Sequence, residues 1–287
     1  MEYLIYNGEI VRDTALLTIN NRAFRYGDGL FESMRYTYGF IPFLSQHLIR
    51  LNRGMQLLGY NLCDCLEENQ LSILIADLVN KNQVEGAARI RLSVFRKEGG
   101  LYAPESDDFD FIIELEPLAH SDFKLETKGL IVGISKKVQK PIGPLSEIKS
   151  SSALLQVLAA RDAKKQKWNE ALLLNHNGNI AEGTSSNLFI VKYKTIYTPP
   201  LSDGGMDGIM RQQIALIVKN SNYSIKVKSL NANDLENADE IFLTNAIKGI
   251  IWVVGYGKKR YFNKAAKELT KLLNEAIQKL IISNSDM

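Results

Sequence analysis

Between residues 149 and 191 a helix-length run and two strand-length runs follow one another with little slack, and this stretch most restricts the fold. Lys149 precedes a helix expected over residues 150–167, a strand is expected over Glu170–Asn175, and Glu182-Gly-Thr-Ser-Ser-Asn187-Leu-Phe-Ile-Val reads as a turn entering a further strand. Helices alternating with short apolar strands belong to an α/β or α+β chain. A lysine just ahead of a helix, and an acid just ahead of a Gly/Ser/Thr turn, stand where backbone N–H groups are free. Alone they say little, since an unsupported lysine is in most proteins a solvated surface group.

Their company changes the reading. His47-Leu-Ile-Arg50-Leu lies upstream, and Asp207-Gly-Ile-Met-Arg211 opens a helix expected over residues 209–218. A guanidinium together with N–H groups at the positive end of a helix holds a phosphate. A lysine amine condenses with an aldehyde, and a carboxylate keeps a ring nitrogen protonated. Arg50, the helix start at Gly208, Ile209 and Met210, Lys149 and Glu182 are therefore what pyridoxal phosphate requires.

In six ordered pieces the chain resembles the class-IV aminotransferases, the fold-type IV pyridoxal-phosphate enzymes. That family includes branched-chain aminotransferase, D-amino-acid transaminase and aminodeoxychorismate lyase. The pieces are Asn21-Arg-Ala-Phe-Arg-Tyr-Gly-Asp-Gly-Leu-Phe-Glu-Ser33, His47-Leu-Ile-Arg-Leu51, Ile148-Lys149, Glu182-Gly-Thr-Ser-Ser-Asn187, Gly208-Ile-Met-Arg211 and Ala238-Asp-Glu-Ile-Phe-Leu-Thr-Asn245. The resemblance implies a two-domain α/β (α+β) fold. Its smaller N-terminal α/β domain is followed by a larger C-terminal domain with a barrel-like sheet flanked by helices. It further implies that Lys149 is the catalytic lysine, that Glu182 meets the ring nitrogen and that Arg50 meets the phosphate. Ser185, Ser186, Asn187, Gly208, Ile209, Met210, Thr244, Asn245 and Ala246 complete the cofactor set. Tyr26, Phe31, Arg35, Arg91 and Arg96 are the substrate candidates, and a homodimer is implied.

Composition sets the outer bounds. With 287 residues, 45% of them hydrophobic, the chain can bury a sizeable core. A balance of 35 basic against 32 acidic side chains, with no basic patch interleaved with aromatics, argues against nucleic acid. Cys63 and Cys65, one residue apart, support neither a disulfide framework nor a zinc site, and the three histidines outline no metal cluster. A reduced, cytoplasmic setting is the default expectation. No secretory signal and no membrane-length apolar run is visible.

Along the chain, two short strands are expected around the Asn7-Gly8 turn, then a strand over residues 30–38. Ser45 is a candidate cap for a helix over residues 45–58, and a second helix is expected over residues 66–82. In the strand that follows, Arg89 and Arg91 alternate with Ile90 and Leu92, so both guanidiniums share one face, turned to solvent or to carboxylates. The loop Gly99-Gly-Leu-Tyr-Ala-Pro104 is either a lid or a hairpin connection. Residues 117–128, polar and aperiodic, read as the linker between a 1–116 domain and a 129–287 domain.

Two reactions share the first steps. Gly-Ile-Met-Arg, Thr244-Asn-Ala and the Gly-Gly loop lean to aminodeoxychorismate lyase, whereas Ser150-Ser-Ser152 after the lysine and Glu182-Gly-Thr-Ser-Ser-Asn187 lean to amino-acid transaminases working between an amino acid and a keto acid. A non-catalytic scaffold is the third reading.

Overall fold

The computed structural model describes residues 2–13 and 17–285. Two compact units are present, Met1–Ser121 with Ile148–Ser152, and Asp122–Glu147 with Ala153–Met287.

The first unit contains β1 (Tyr3–Tyr6), β2 (Glu9–Arg12), a short α1 (Arg22–Tyr26), β3 (Gly29–Tyr36), α2 (Leu44–Leu57), α3 (Glu68–Lys81), β4 (Ala87–Arg96) and β5 (Phe109–Leu118). The strands form an antiparallel sheet in the order β2-β1-β5-β4-β3. Strand alternation decides its faces. Ile90, Leu92 and Val94 of β4 and Leu30 and Met34 of β3 turn inward, packing in one core with Leu48, Leu51 and Met55 of α2 and Leu71, Ile75 and Leu78 of α3. Glu32 lies between Leu30 and Met34 on that inward face and is fully buried.

Ser45 is not the cap of α2. Burial of Leu44 draws the helix one residue earlier, leaving left-handed Phe43 as its cap with no side-chain hydrogen bond. The cysteines also depart from the sequence reading: Cys63 and Cys65 are joined as a disulfide. A single 3-10 turn starting at Asp64 brings their Cα atoms to 5.3 Å, within disulfide reach.

The second unit comprises β6 (Leu130–Lys140), α4 (Pro144–Glu147), α5 (Leu154–Lys165), β7 (Glu170–Asn175), β8 (Ile180–Gly183), β9 (Asn187–Lys192), β10 (Thr195–Thr198), α6 (Ile209–Ile217), β11 (Ser224–Val227), α7 (Ala232–Asn237), β12 (Glu240–Asn245), β13 (Gly249–Tyr256), β14 (Lys259–Arg260) and α8 (Lys264–Ser285). The sheet runs β11-β10-β9-β12-β13-β6-β7-β8, with β14 beside β13. In a flat sheet β8 and β9 would lie five strand spacings apart, about 24 Å. Only Thr184, Ser185 and Ser186 join them, however, and such a link reaches at most about 14 Å. The sheet is therefore curled, the barrel-like form that the family resemblance implies. Pro144 starts α4, at the first helical position where its missing N–H costs nothing.

Candidate active site

Lys149 does not stand at a helix start. As the sheet's edge strand, β3 has free backbone groups, and residues 149–151 satisfy them: Phe31 N–H donates to the Lys149 carbonyl (2.9 Å) and Ser151 N–H to the Gly29 carbonyl (2.9 Å). Residues 150–153 are thereby withheld from α5, which begins at Leu154. This pairing sets the Lys149 side chain over β3, its Nζ 4.3 Å from the centroid of the Phe31 ring. Arg91 lies against the same ring, with Cζ 3.8 Å from the centroid. The arginine side chain is about one-third exposed, and burial pushes its pKa down. Its nearest carboxylate is Glu114, at 3.9 Å.

Arg35 and Arg96 are differently occupied. The Arg35 guanidinium is buried and donates to the His120 and Ser121 carbonyls. Arg96 is also buried, with Nε on Asp28 (3.1 Å), Nη1 on Asp107 and Nη2 on the Leu58 carbonyl. Arg22 completes this network, bonding Asp28 and the carbonyls of Gly99 and Leu101, so the Gly-Gly loop is tied to α1. Tyr26 and Tyr102 meet with ring centroids 5.7 Å apart at a cavity of about 390 Å³ lined by these residues.

Arg50 projects from α2 onto Glu32. Its Nε and Nη2 donate to the two carboxylate oxygens at 2.7 and 2.6 Å, and His47 Nδ1 lies 2.7 Å from Oε2. Burial alone would raise the Glu32 pKa, but the Arg50 charge and the bonds from His47 and Arg50 override it and bring it to about 2.

In the second unit, Glu182 on β8 is buried. Its Oε1 accepts from the Lys140 ammonium in an ion pair, and its Oε2 accepts the Met206 N–H at 2.8 Å. The turn that follows is gathered by Glu170, whose Oε1 accepts from Thr184 Oγ1 (2.7 Å), Ser185 N–H (2.9 Å) and Ser186 Oγ (3.1 Å). Asn187 Nδ2 donates to the Met206 carbonyl at 2.8 Å, and a Cβ added to Gly208 would come within 1.9 Å of Asn187 Oδ1. Only glycine fits there. Gln212 N–H makes the first helical bond of α6, to the Gly208 carbonyl, so the N–H groups of Ile209, Met210 and Arg211 precede any intrahelical partner.

Asn187 sits opposite Thr244 in the β9–β12 ladder. Thr244 is buried, and its Oγ1 has no hydrogen-bond partner. Next to it, Asn245 Oδ1 accepts the N–H groups of Ile247 and Lys248 and shapes the turn holding Ala246. An unsatisfied buried hydroxyl and a helix start whose first N–H groups lie outside the intrahelical bonds are donors of the kind a phosphate takes. The residues present therefore fit pyridoxal phosphate. Among the described residues no group of three His, Cys, Asp or Glu is placed to hold a metal, and no helix is long and apolar enough to cross a membrane.

Comparison with known proteins agrees with this chemistry. Residues 29–256 match the family model for amino-transferase class IV, and the chain belongs to that family of pyridoxal-phosphate-dependent enzymes. It is 26% identical to the D-alanine aminotransferase of Bacillus licheniformis over 98% of each chain. It is 27% identical to the aminodeoxychorismate lyase of Bacillus subtilis over 97% of this chain and 96% of the relative. Its fold superposes on an aminotransferase from Brucella abortus bound to pyridoxal phosphate with a TM-score of 0.85, at 24% identity, covering 95% of this chain and 98% of the other.

Sequence reasoning missed the partners: Glu32, Lys140, Glu170, Arg22 and the Met206 N–H. One signal was available, since Glu32 interrupts an inward-facing apolar alternation opposite a helix that carries both His47 and Arg50.

Proposed function

We propose that this chain eliminates pyruvate from 4-amino-4-deoxychorismate to give 4-aminobenzoate. The observation that carries the reading is the pair of cations on the Phe31 ring, Lys149 and Arg91. Lys149 would hold the cofactor aldehyde until the substrate amine displaces it, and the freed lysine amine would then take and return the proton at the reacting carbon. Arg91 binds a substrate carboxylate within reach of that amine, and Phe31 supplies a flat apolar wall for a ring. Bound pyridoxal phosphate supplies an electron-withdrawing ring that lowers the cost of removing that proton. Glu182 holds the proton of the ring nitrogen. Arg50, the N–H groups of Ile209 and Met210, Thr244 and Ala246 hold the phosphate.

Transamination between an amino acid and a keto acid is the second reading, favoured by the relatives named D-alanine aminotransferase and by Ser150-Ser-Ser152 following Lys149. The Asn245 side chain also supports it, because the turn it shapes accounts for Thr244-Asn-Ala without any lyase chemistry. A homodimer in the cytoplasm belongs to both readings, and sedimentation of the loaded protein tests the dimer.

One assay separates them. Cofactor-loaded protein is given aminodeoxychorismate and read for 4-aminobenzoate. In parallel it is given D-alanine, L-leucine or L-glutamate with pyruvate or 2-oxoglutarate and read for the new amino acid. Release of 4-aminobenzoate with slow amino transfer is expected, and the reverse overturns the lyase assignment. Lys149→Ala should abolish both, together with borohydride trapping of the cofactor. A protein that never binds the cofactor is the scaffold of the third reading.

A further inference from the structure

Past Ser135 the pairing of β6 with β7 is interrupted, and it resumes at Lys140 opposite Asn175. The Lys140 side chain is buried and ends on Glu182 Oε1, with the two side chains 5% and 8% exposed. An ammonium is strongly hydrated, and lysine is almost never buried unless paired. A buried ion pair is weak evidence of a stabilising role, because apolar residues of similar volume commonly do as well. The pair therefore calls for a reason beyond the fold. Lys140 and the Met206 N–H occupy one lone-pair site on each oxygen of Glu182, and a carboxylate has about four.

We propose that Lys140 is a positioning residue for the ring nitrogen of the cofactor, acting through Glu182. With an ammonium on one oxygen and a backbone N–H on the other, Glu182 presents its remaining lone pairs as acceptors, the partner that an N–H on the ring nitrogen requires. The Met206 N–H fixes the second oxygen and with it the rotation of the carboxylate. The same ion pair commits the Lys140 ammonium to Glu182, which leaves Lys149 as the nucleophile for the aldehyde. This inference rests on the assignment of Glu182 to the ring nitrogen made above.

The test is equilibrium binding to the apo protein rather than turnover. Pyridoxal phosphate is compared with its 1-deaza analogue, in which C–H replaces the ring nitrogen, on wild type, Lys140→Met and Lys140→Arg. Wild type should prefer the nitrogen-containing ligand by about 10- to 100-fold, the scale of a charge-assisted hydrogen bond. Lys140→Met should lose most of that preference while binding the analogue as wild type does, and Lys140→Arg should restore it. If Lys140→Met does not fold, Lys140→Gln carries the same comparison. Equal weakening of both ligands marks a merely structural lysine, and an intact preference marks no role, so either result overturns the inference alone. Wild type with no preference overturns the Glu182 assignment itself.

Discussion

The two units each bury a charge cluster, and the clusters invert one another. In the first, the group assigned to the ligand is a cation, Arg50, and its keeper is an anion; in the second the ligand group is the anion Glu182 and its keeper the cation Lys140. Arg50 is gripped through two parallel bonds to both oxygens of Glu32, a fork that fixes the plane of the guanidinium. Lys140 offers a point charge to one oxygen only, and a backbone N–H must hold the other. A fork sets orientation by itself. A point charge sets ionisation and leaves orientation to the backbone.

The sharpest way to break this contrast is Glu32→Ala, which leaves a buried guanidinium that cannot shed its proton. A loss of about 3–5 kcal/mol in denaturant unfolding is expected, and a loss below about 1 kcal/mol would contradict the buried fork. Acid should produce the next effect. The Glu32 pKa is depressed from 4.5 to about 2 in the folded chain, so its contribution is complete above the unfolded value and disappears as pH falls from about 4.5 towards 2. On the order of 3 kcal/mol is at stake, and Glu32→Gln should flatten this limb of the stability curve.

Glu182→Ala should cost less than Glu32→Ala, about 1–3 kcal/mol, because a stranded ammonium can neutralise itself by losing a proton. Equal costs in the same unfolding assay would erase the proposed difference between the clusters. Arg91→Met should have the smallest effect on stability, within about 0.5 kcal/mol, since no carboxylate fork grips Arg91. Its effect should instead be on substrate, with KM raised about 10- to 100-fold, the scale of a lost charge-assisted bond. Steady-state kinetics alongside a thermal melt would expose the opposite pattern.

Legibility followed the range of the interaction. Gly208, Ile209 and Met210 are recognisable because a helix start is a local event, and the alternation of Arg89 and Arg91 with Ile90 and Leu92 predicts their faces correctly. The helix expected from residue 150 begins only at Leu154, because propensity cannot anticipate that the edge of β3 claims residues 149–151. The disulfide escaped for a related reason, as a one-residue separation reveals nothing of the turn that closes it.

By itself the sequence determined the periodic elements and the apolar faces they bury, and it put forward Lys149, Glu182 and Arg50 as the proposed ligand groups. All of these depend on residue type and short spacing. The tertiary structure alone decided what holds those groups. Arg50 finds Glu32 18 residues away, and Glu182 finds Lys140 42 residues away. Which side chains meet at such separations depends on strand register, on the interruption in β6 and on the curl of the sheet, none of which is encoded in any local stretch of residues.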